Sequence, residues 1–197
     1  MSPMIKLPLT VEHALLGFLR RKPMHAYEMH RLLLGAESLG LVWRLKQSQL
    51  YALLGRLEDE GYIESVVEPQ ETRPSRKILR LTPSGQAAYQ RWISTPVEHG
   101  RDFRIEFLAK LFFAQQDGPA AVSGLIERQR RACQSWLVDL HAQANAIRTD
   151  RPYDWLVLQF RIGQTQAILS WLDTTEAVLD TPAFAHSLST RTVETAR

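Results

Sequence analysis

Cysteine is all but missing from this 197-residue chain: Cys133 stands alone. A single thiol excludes an internal disulfide framework, and a reducing, cytoplasmic setting is expected. Long apolar runs are missing too. None approaches the roughly 18–20 residues that span a bilayer, so no membrane partner is expected. The opening Met1-Ser-Pro-Met-Ile-Lys-Leu-Pro8 lacks the charged-then-apolar order of a secretory leader. The motifs of the common catalytic classes are absent as well: there is no G-x-S-x-G elbow, no H-E-x-x-H and no glycine-rich phosphate loop. His25 and His30 stand at the wrong spacing to share a helix face as metal ligands. Ser84, in Thr82-Pro-Ser-Gly85, reads as the first turn of a helix rather than a nucleophile. No catalytic residue, metal site or cofactor is expected.

What is present is an uneven distribution of charge. The excess of 24 Lys and Arg over 21 Asp and Glu gives +3. Residues 1–80 carry 12 bases against 9 acids, and residues 81–197 carry 12 of each. The whole excess therefore lies in the first part, where a phosphate-binding surface would need it.

Apolar spacing divides the chain into elements. Thr10 is expected to cap a helix carrying Ala14, Leu15, Phe18 and Leu19, which Arg20-Arg-Lys-Pro23 breaks. A second helix is expected from about Ala26 to Leu34, and a third from about Lys46 to Glu60. The third has Leu50, Leu53, Leu54 and Leu57 as its stripe and Gly61 as a left-handed cap. Then the pattern changes. Tyr62–Val67 and Lys77–Leu81 read as short strands joined by the polar, proline-containing loop Glu68–Ser75. Thr82-Pro83 opens another helix, with threonine at the cap and proline where its missing N–H costs nothing.

The second half reads as helix almost throughout. Phe103, Phe107 and Leu111, with Ile105, Leu108 and Phe112, form a wide apolar face that ends at Asp117-Gly-Pro119. Val122, Ile126, Gln129, Cys133, Trp136, Leu140, Ala144 and Ile147 recur every three or four residues along a long helix, close to a coiled-coil seam. A last helix, about Tyr153 to Leu179, is apolar on more than one side and is expected to be buried from two directions.

Three helices, then two strands around a loop, is the winged helix-turn-helix arrangement, whose third helix enters the major groove while the wing touches flanking backbone. With Leu50, Leu54 and Leu57 inward, Ser48, Ala52, Gly55 and Asp59 face outward, flanked by Tyr51 and Arg56. Gln47, Ser48 and Gln49 occupy the first turn, where side chains reach base edges, and the Tyr51 hydroxyl can meet a phosphate. On the wing, Arg73, Arg76, Lys77 and Arg80 form a stretch without an acid; Arg73 and Arg76, nearest the tip, and Lys77 are the candidate phosphate contacts. Trp43, Trp92 and Trp136 are candidates to line a pocket for a small aromatic or apolar effector, against their commoner role as core or dimer contacts. Cys133, on the seam, reads as a buried, inert thiol.

The run Leu50-Tyr-Ala-Leu-Leu-Gly-Arg-Leu-Glu-Asp-Glu-Gly-Tyr-Ile63 resembles the third-helix signature of the PadR family of winged-helix transcriptional regulators. Ala14–Leu19, Tyr27-Glu28, Ser75-Arg-Lys77 and Leu81-Thr-Pro-Ser-Gly85 are similar to the same family. Phe107–Phe113 and Trp171-Leu172 look like the helical second half of its longer members. Ala26, Ala52 and Gly55 depart from that pattern, where glycine, proline and a charged residue respectively are usual. The resemblance implies a homodimer on double-stranded DNA bearing an inverted repeat, usually a repressor, sometimes released by a small ligand. The expected architecture is mainly α with a small β-hairpin wing: a winged helix-turn-helix DNA-binding domain over 1–95, a helical dimerisation domain over 96–180 and a polar tail over 181–197. A helical adaptor that binds no DNA is the rival reading, and it leaves the basic wing and the charge asymmetry unexplained.

Overall fold

The computed structural model describes residues 11–35, 39–68, 76–147 and 151–179. The Thr10 cap, the loop after Glu68 and the tail from Thr181 lie outside them. The described residues are mainly helical, with one two-stranded antiparallel hairpin, and they fall into two compact units. The first takes the described residues up to Ser94 together with Leu108–Lys110; the second takes Thr95–Phe107 and the described residues from Leu111 onward.

In the first unit a 3-10 turn, Val11–His13, leads into α1 (Ala14–Leu19), and α2 (Ala26–Leu34) and α3 (Gln47–Asp59) follow. All six residues of α1 are buried, as its unbroken apolar run Ala-Leu-Leu-Gly-Phe-Leu requires. Met29 and Leu33 of α2 and Leu50, Leu54 and Leu57 of α3 are buried with it in the core, each set recurring at helical spacing. The hairpin is β1 (Ile63–Glu68) and β2 (Arg76–Leu81), and α4 (Pro83–Ser94) closes the unit with Ala88, Tyr89 and Trp92 inward. Against the expected bounds β1 is shifted by one residue, and β2 begins one residue earlier. At β1 the reason is local: the Tyr62 N–H bonds the Leu57 carbonyl at 2.9 Å to finish the helix, so pairing starts only at Ile63. An isolated bridge between Met24 and Leu79 adds the turn before α2 to the free edge of β2.

The second unit starts with a 3-10 turn, Gly100–Asp102, and a π-helical turn, Phe103–Phe107, before α5 (Leu108–Asp117). Apolar spacing alone predicts one regular helix here. The wider turn accommodates a face-to-face stack of Phe103 on Phe107, centroids 4.2 Å apart, with both rings edge-on to Trp171. Gly118, at φ +101°, breaks the chain before α6 (Pro119–Ala146), which pairs antiparallel with α7 (Pro152–Leu179).

Arg130 ties those two helices, bonding Glu127 on its own helix and Asp173 and Glu176 on α7. Its guanidinium is held above its ordinary pKa, chiefly by the hydrogen bond to Glu176. The α6 seam is buried at Val122, Ile126, Gln129 and Cys133 and opens to half-exposed at Trp136, Leu140, Ala144 and Ile147. On α7, Leu158, Ile162, Thr165 and Leu172 are buried, while Tyr153, Leu156 and Phe160 are exposed. Among the described residues no helix is long and apolar enough to cross a membrane.

Candidate nucleic-acid interface

The first turn of α3 is built to present side chains outward. Burial of Leu50, Leu54 and Leu57 turns Gln47, Ser48, Tyr51, Ala52, Gly55 and Asp59 to solvent. A Cβ on Gly55 would meet nothing within 4 Å, so the glycine leaves that face shallow rather than relieving a clash. Gln49 has a second task that its position in sequence hides: its Oε1 accepts the Lys46 N–H at 2.9 Å, half of a capping box. That oxygen is then committed to the backbone. Arg56 is half-buried with Nη1 3.9 Å from Glu12, which directs it along the flank of the helix.

Both ends of α3 are pinned. At its C-terminus Gly61, at φ +70°, supports paired bonds, Gly61 N–H to Glu58 O and Tyr62 N–H to Leu57 O, both 2.9 Å. This is the Schellman arrangement, in which the left-handed residue favours glycine. The carbonyls just beyond it are taken by α4's entry. Thr82 Oγ1 and Ser84 Oγ lie 2.7 Å from the Gly61 oxygen, and Thr82 N–H bonds the Tyr62 oxygen at 3.1 Å. Thr82 Oγ1 also accepts the Gly85 N–H at 3.0 Å, the expected cap.

The hairpin pairs Ile63 with Leu81 through Glu68 with Arg76. This register places Glu64 across from Arg80 and Glu68 across from Arg76. The acid-free stretch read along one strand is thus flanked by acids on its neighbour, and the hairpin is less basic than β2 alone. Lys77 is exposed, and its own carbonyl is held by His25 Nδ1 at 2.8 Å. Arg73 lies outside the described residues, and of Arg76 only the backbone, the first residue of β2, is described.

That His25 bond shows what sequence reasoning left out. The ring bridges α2's entry to β2 and stacks on exposed Tyr27 at 5.6 Å, 14° from parallel. His25, Tyr27 and Lys77 therefore sit together where α2 meets the wing. Tyr27-Glu28 marks the family resemblance, but nothing local points to strand β2, far along the chain. The exposed Lys46 at the entry of α3 is likewise without a local signal.

Of the three tryptophans, Trp43 is half-buried and Trp92 buried in the first unit, and Trp136 is half-buried in the second. Trp92 packs at 5.9 Å from Tyr89 and lies 5.4 Å beneath Lys110 Nζ. None of the three lines the cavity of about 490 Å³ between α6 and α7 or the cleft of about 410 Å³ beside α1. No group of three or more His, Cys, Asp or Glu is placed to hold a metal among the described residues.

Two family descriptions match the chain in sequence: "Transcriptional regulator PadR-like family" over residues 15–91 and "Virulence activator alpha C-term" over 103–180. The Negative transcriptional regulator PadR of Bacillus subtilis (strain 168) is 28% identical over 179 residues, 86% of this chain and 97% of its own length. The Probable transcriptional regulator Rv1176c of Mycobacterium tuberculosis is 24% identical over 143 residues, 73% of this chain and 70% of its own. Among solved structures, Bacillus subtilis PadR in complex with operator DNA aligns at 26% identity over 87% of this chain and 99% of that one, with a TM-score of 0.44.

Proposed function

The chain belongs to the PadR-like family of transcriptional regulators, which makes it a regulator and not an enzyme, and from that premise we propose that it acts in the cytoplasm as a homodimeric, sequence-specific repressor on an inverted-repeat operator. The observation that carries this reading is the outer face of α3: an exposed row of Gln47, Ser48, Tyr51, Ala52 and Gly55 on a helix capped at both ends. Small residues let the helix approach the floor of a major groove, and the polar ones can read base edges there.

Within that row Gln47 takes the larger share of base reading. A bidentate pair with adenine needs both amide groups of a glutamine, and Gln49 has committed its oxygen to Lys46. Gln49 is left with its amide N–H groups, and Ser48 with a single hydroxyl. Tyr51, Arg73, Arg76 and Lys77 serve backbone phosphates, joined by Tyr27 beside Lys77. Arg56, drawn toward Glu12, orients α3 more than it touches bases. Residues 1–95 carry the DNA contact and 96–180 the dimer contact.

The exposed apolar face of α7 supports the dimer. Leu156, Phe160, Gly163 and Ala167 recur at helical spacing on the side opposite buried Leu158, Ile162 and Thr165. A monomer gains nothing by leaving that face wet. A twofold dimer then presents two copies of α3, with half-site centres about one helical turn, or a multiple, apart. The name of the Bacillus subtilis relative supports repression. Release by a small aromatic or apolar ligand completes the reading. Its support is Trp92, whose buried Nε1–H meets no acceptor among the described residues.

The test is selection of genomic DNA fragments by the full chain, then footprinting of the enriched sequence with and without a panel of small aromatic and apolar compounds. Enrichment of an inverted repeat with two protected half-sites is expected. An unenriched pool would overturn the reading in favour of a helical adaptor, and a single asymmetric half-site bound by a monomer would overturn the dimer.

A further inference from the structure

A second basic surface exists in the first unit, away from the reading face of α3. Leu19, Arg20, Arg21, Lys22 and Pro23, at the end of α1, line one wall of the cleft of about 410 Å³. Arg80, Leu81, Thr82, Pro83 and Gln86, from β2 and the start of α4, line the other. Four of the ten lining residues are cations and none is an acid. The walls meet because Met24 and Leu79 exchange two backbone bonds, 3.2 and 2.9 Å. The antiparallel register of that bridge runs Lys22–Pro23 alongside Arg80–Leu81.

We propose that this cleft is a phosphate-binding site at the root of the hairpin, lined by no residue of α3. A shallow concavity between apolar residues sets it apart from an ordinary solvated basic face. Leu19, Pro23, Leu81 and Pro83 supply low-dielectric walls, which focus the field of the charges between them. Three of the cations, Arg21, Lys22 and Arg80, are exposed and open to a ligand. Among the described residues, Glu64, opposite Arg80 in the hairpin, forms no ion pair with it. Arg20 packs with its guanidinium carbon 5.2 Å from the Tyr89 ring centroid and adds fixed positive charge to that wall. Guanidinium forks match the oxygens of phosphate in pairs, and Lys22 adds a mobile point charge.

Arg80 stands four residues beyond Arg76 along β2, about 13 Å at strand rise. The cleft thus lies at the root of the hairpin, at the opposite end of β2 from Arg76. It can take a phosphate from a duplex backbone farther along the flank, or a free phosphate anion that would bind α1's end to the base of the wing. Both use the same chemistry.

Two arms of one experiment separate these sources, using the full chain. In the first, inorganic pyrophosphate is titrated calorimetrically into DNA-free protein. In the second, a duplex of arbitrary sequence is titrated across a series of salt concentrations. The test variant is Arg21→Gln/Lys22→Gln/Arg80→Gln, with Arg80→Gln alone as a milder change. The control is Arg101→Gln/Arg104→Gln/Arg161→Gln, which removes the same charge from exposed positions of the second unit. Circular dichroism checks that each variant folds.

A free-anion site predicts saturable pyrophosphate binding that the control keeps and the test variant weakens at least tenfold. A backbone site predicts at least tenfold weaker duplex binding by the test variant than by the control, with the salt slope reduced by about one unit for each phosphate no longer neutralised. Test and control variants that match in both arms overturn the inference, as does a wild-type chain that binds neither probe. Saturable pyrophosphate binding by a chain that binds no duplex would keep this inference while sinking the proposed function, so the two can fail separately.

Discussion

Replacing Phe160 with aspartate should turn the proposed dimer into a monomer without unfolding α7. Phe160 is 71% exposed and points away from the α6–α7 contact. A phenylalanine offers about 150–250 Å², so about 100–180 Å² of it awaits a partner, worth about 2.5–4.5 kcal/mol at ~25 cal/mol/Å². In a twofold contact the residue counts once from each subunit, which doubles that figure. Ordering and association consume part of the sum. Taking roughly 3 kcal/mol as the surviving loss, the dimer dissociation constant should rise on the order of 100-fold. Burying a carboxylate against an apolar partner adds to that loss. The assay is sedimentation equilibrium across a wide range of concentration. Gln166→Asp, exposed on α7 but turned away from the apolar stripe, serves as the equal-charge control. Wild type and control should remain dimeric where Phe160→Asp is monomeric, all with the same helical content. If Phe160→Asp dimerises as tightly as the control, the α7 face is not the dimer contact, and its exposed apolar area stabilises nothing.

Gly85→Ala should destabilise the first unit in a urea titration. Alanine would gain about 1 kcal/mol in a free helix, but its Cβ would lie 1.9 Å from the Tyr62 carbonyl oxygen, and overpacking of that kind costs about 1–3 kcal/mol or more; an unchanged or raised midpoint would refute the packing. Gln129→Leu should cost the second unit about 1–3 kcal/mol in urea, since the buried Val97 N–H, bonded to Gln129 Oε1 at 2.9 Å, loses its acceptor. Cys133 should stay unlabelled by iodoacetamide at pH 8 until the chain unfolds, because burial pushes its thiol pKa up, only partly opposed by the Gln129 hydrogen bond. The stability this lends is complete below the ordinary thiol pKa and is lost as pH rises through the raised folded value, so Cys133→Ala should flatten the alkaline limb of a stability–pH curve. Gln47→Ala should weaken binding to the selected operator by about 1–3 kcal/mol with little change on scrambled DNA; equal losses on both would place Gln47 on the backbone.

What is legible in the sequence follows from range. The stripe Leu50, Leu54, Leu57, the Gly61 cap and the Thr82-Pro83 entry are each decided within a turn or two of chain, and the structure has them where the spacing puts them. The register that sets Glu64 against Arg80 and Glu68 against Arg76 depends on which residues meet across a loop. A one-residue shift of register would have paired other side chains, and the loop's composition does not choose between them. Gln49 illustrates a different difficulty. Its place in the first turn suits base reading and capping equally, and only the backbone geometry at Lys46 shows that its oxygen is taken. The seam of α6 has the expected period but not an even depth, since periodicity tells which face turns inward and not how far along the helix a partner extends. The proposed contacts of Gln47, Ser48 and Tyr51 rest on their exposure along one face of α3, and that of Lys77 on its exposure in β2.

The segment Leu81-Thr-Pro-Ser-Gly85 has a mechanical consequence for the proposed reading of DNA by α3. A reading helix discriminates bases only if its side chains are held in a fixed orientation, and α3 is too short for its own hydrogen bonds to ensure that. Its C-terminus is instead fastened from outside. The Thr82 and Ser84 hydroxyls hold the Gly61 carbonyl, Thr82 N–H holds the Tyr62 carbonyl, and absence of a Cβ at Gly85 lets that carbonyl lie against α4. Each requirement selects its residue type: a hydroxyl that can both donate and cap, a second hydroxyl two residues on, and no side chain at the close approach. Because β2 ends at Leu81, the same fastening fixes the base of the wing. The end of α3, the root of the hairpin and the start of α4 thus form one joint. On the proposed reading, a change at Gly85 should therefore alter base reading and backbone contact together, although Gly85 stands on neither α3 nor the hairpin.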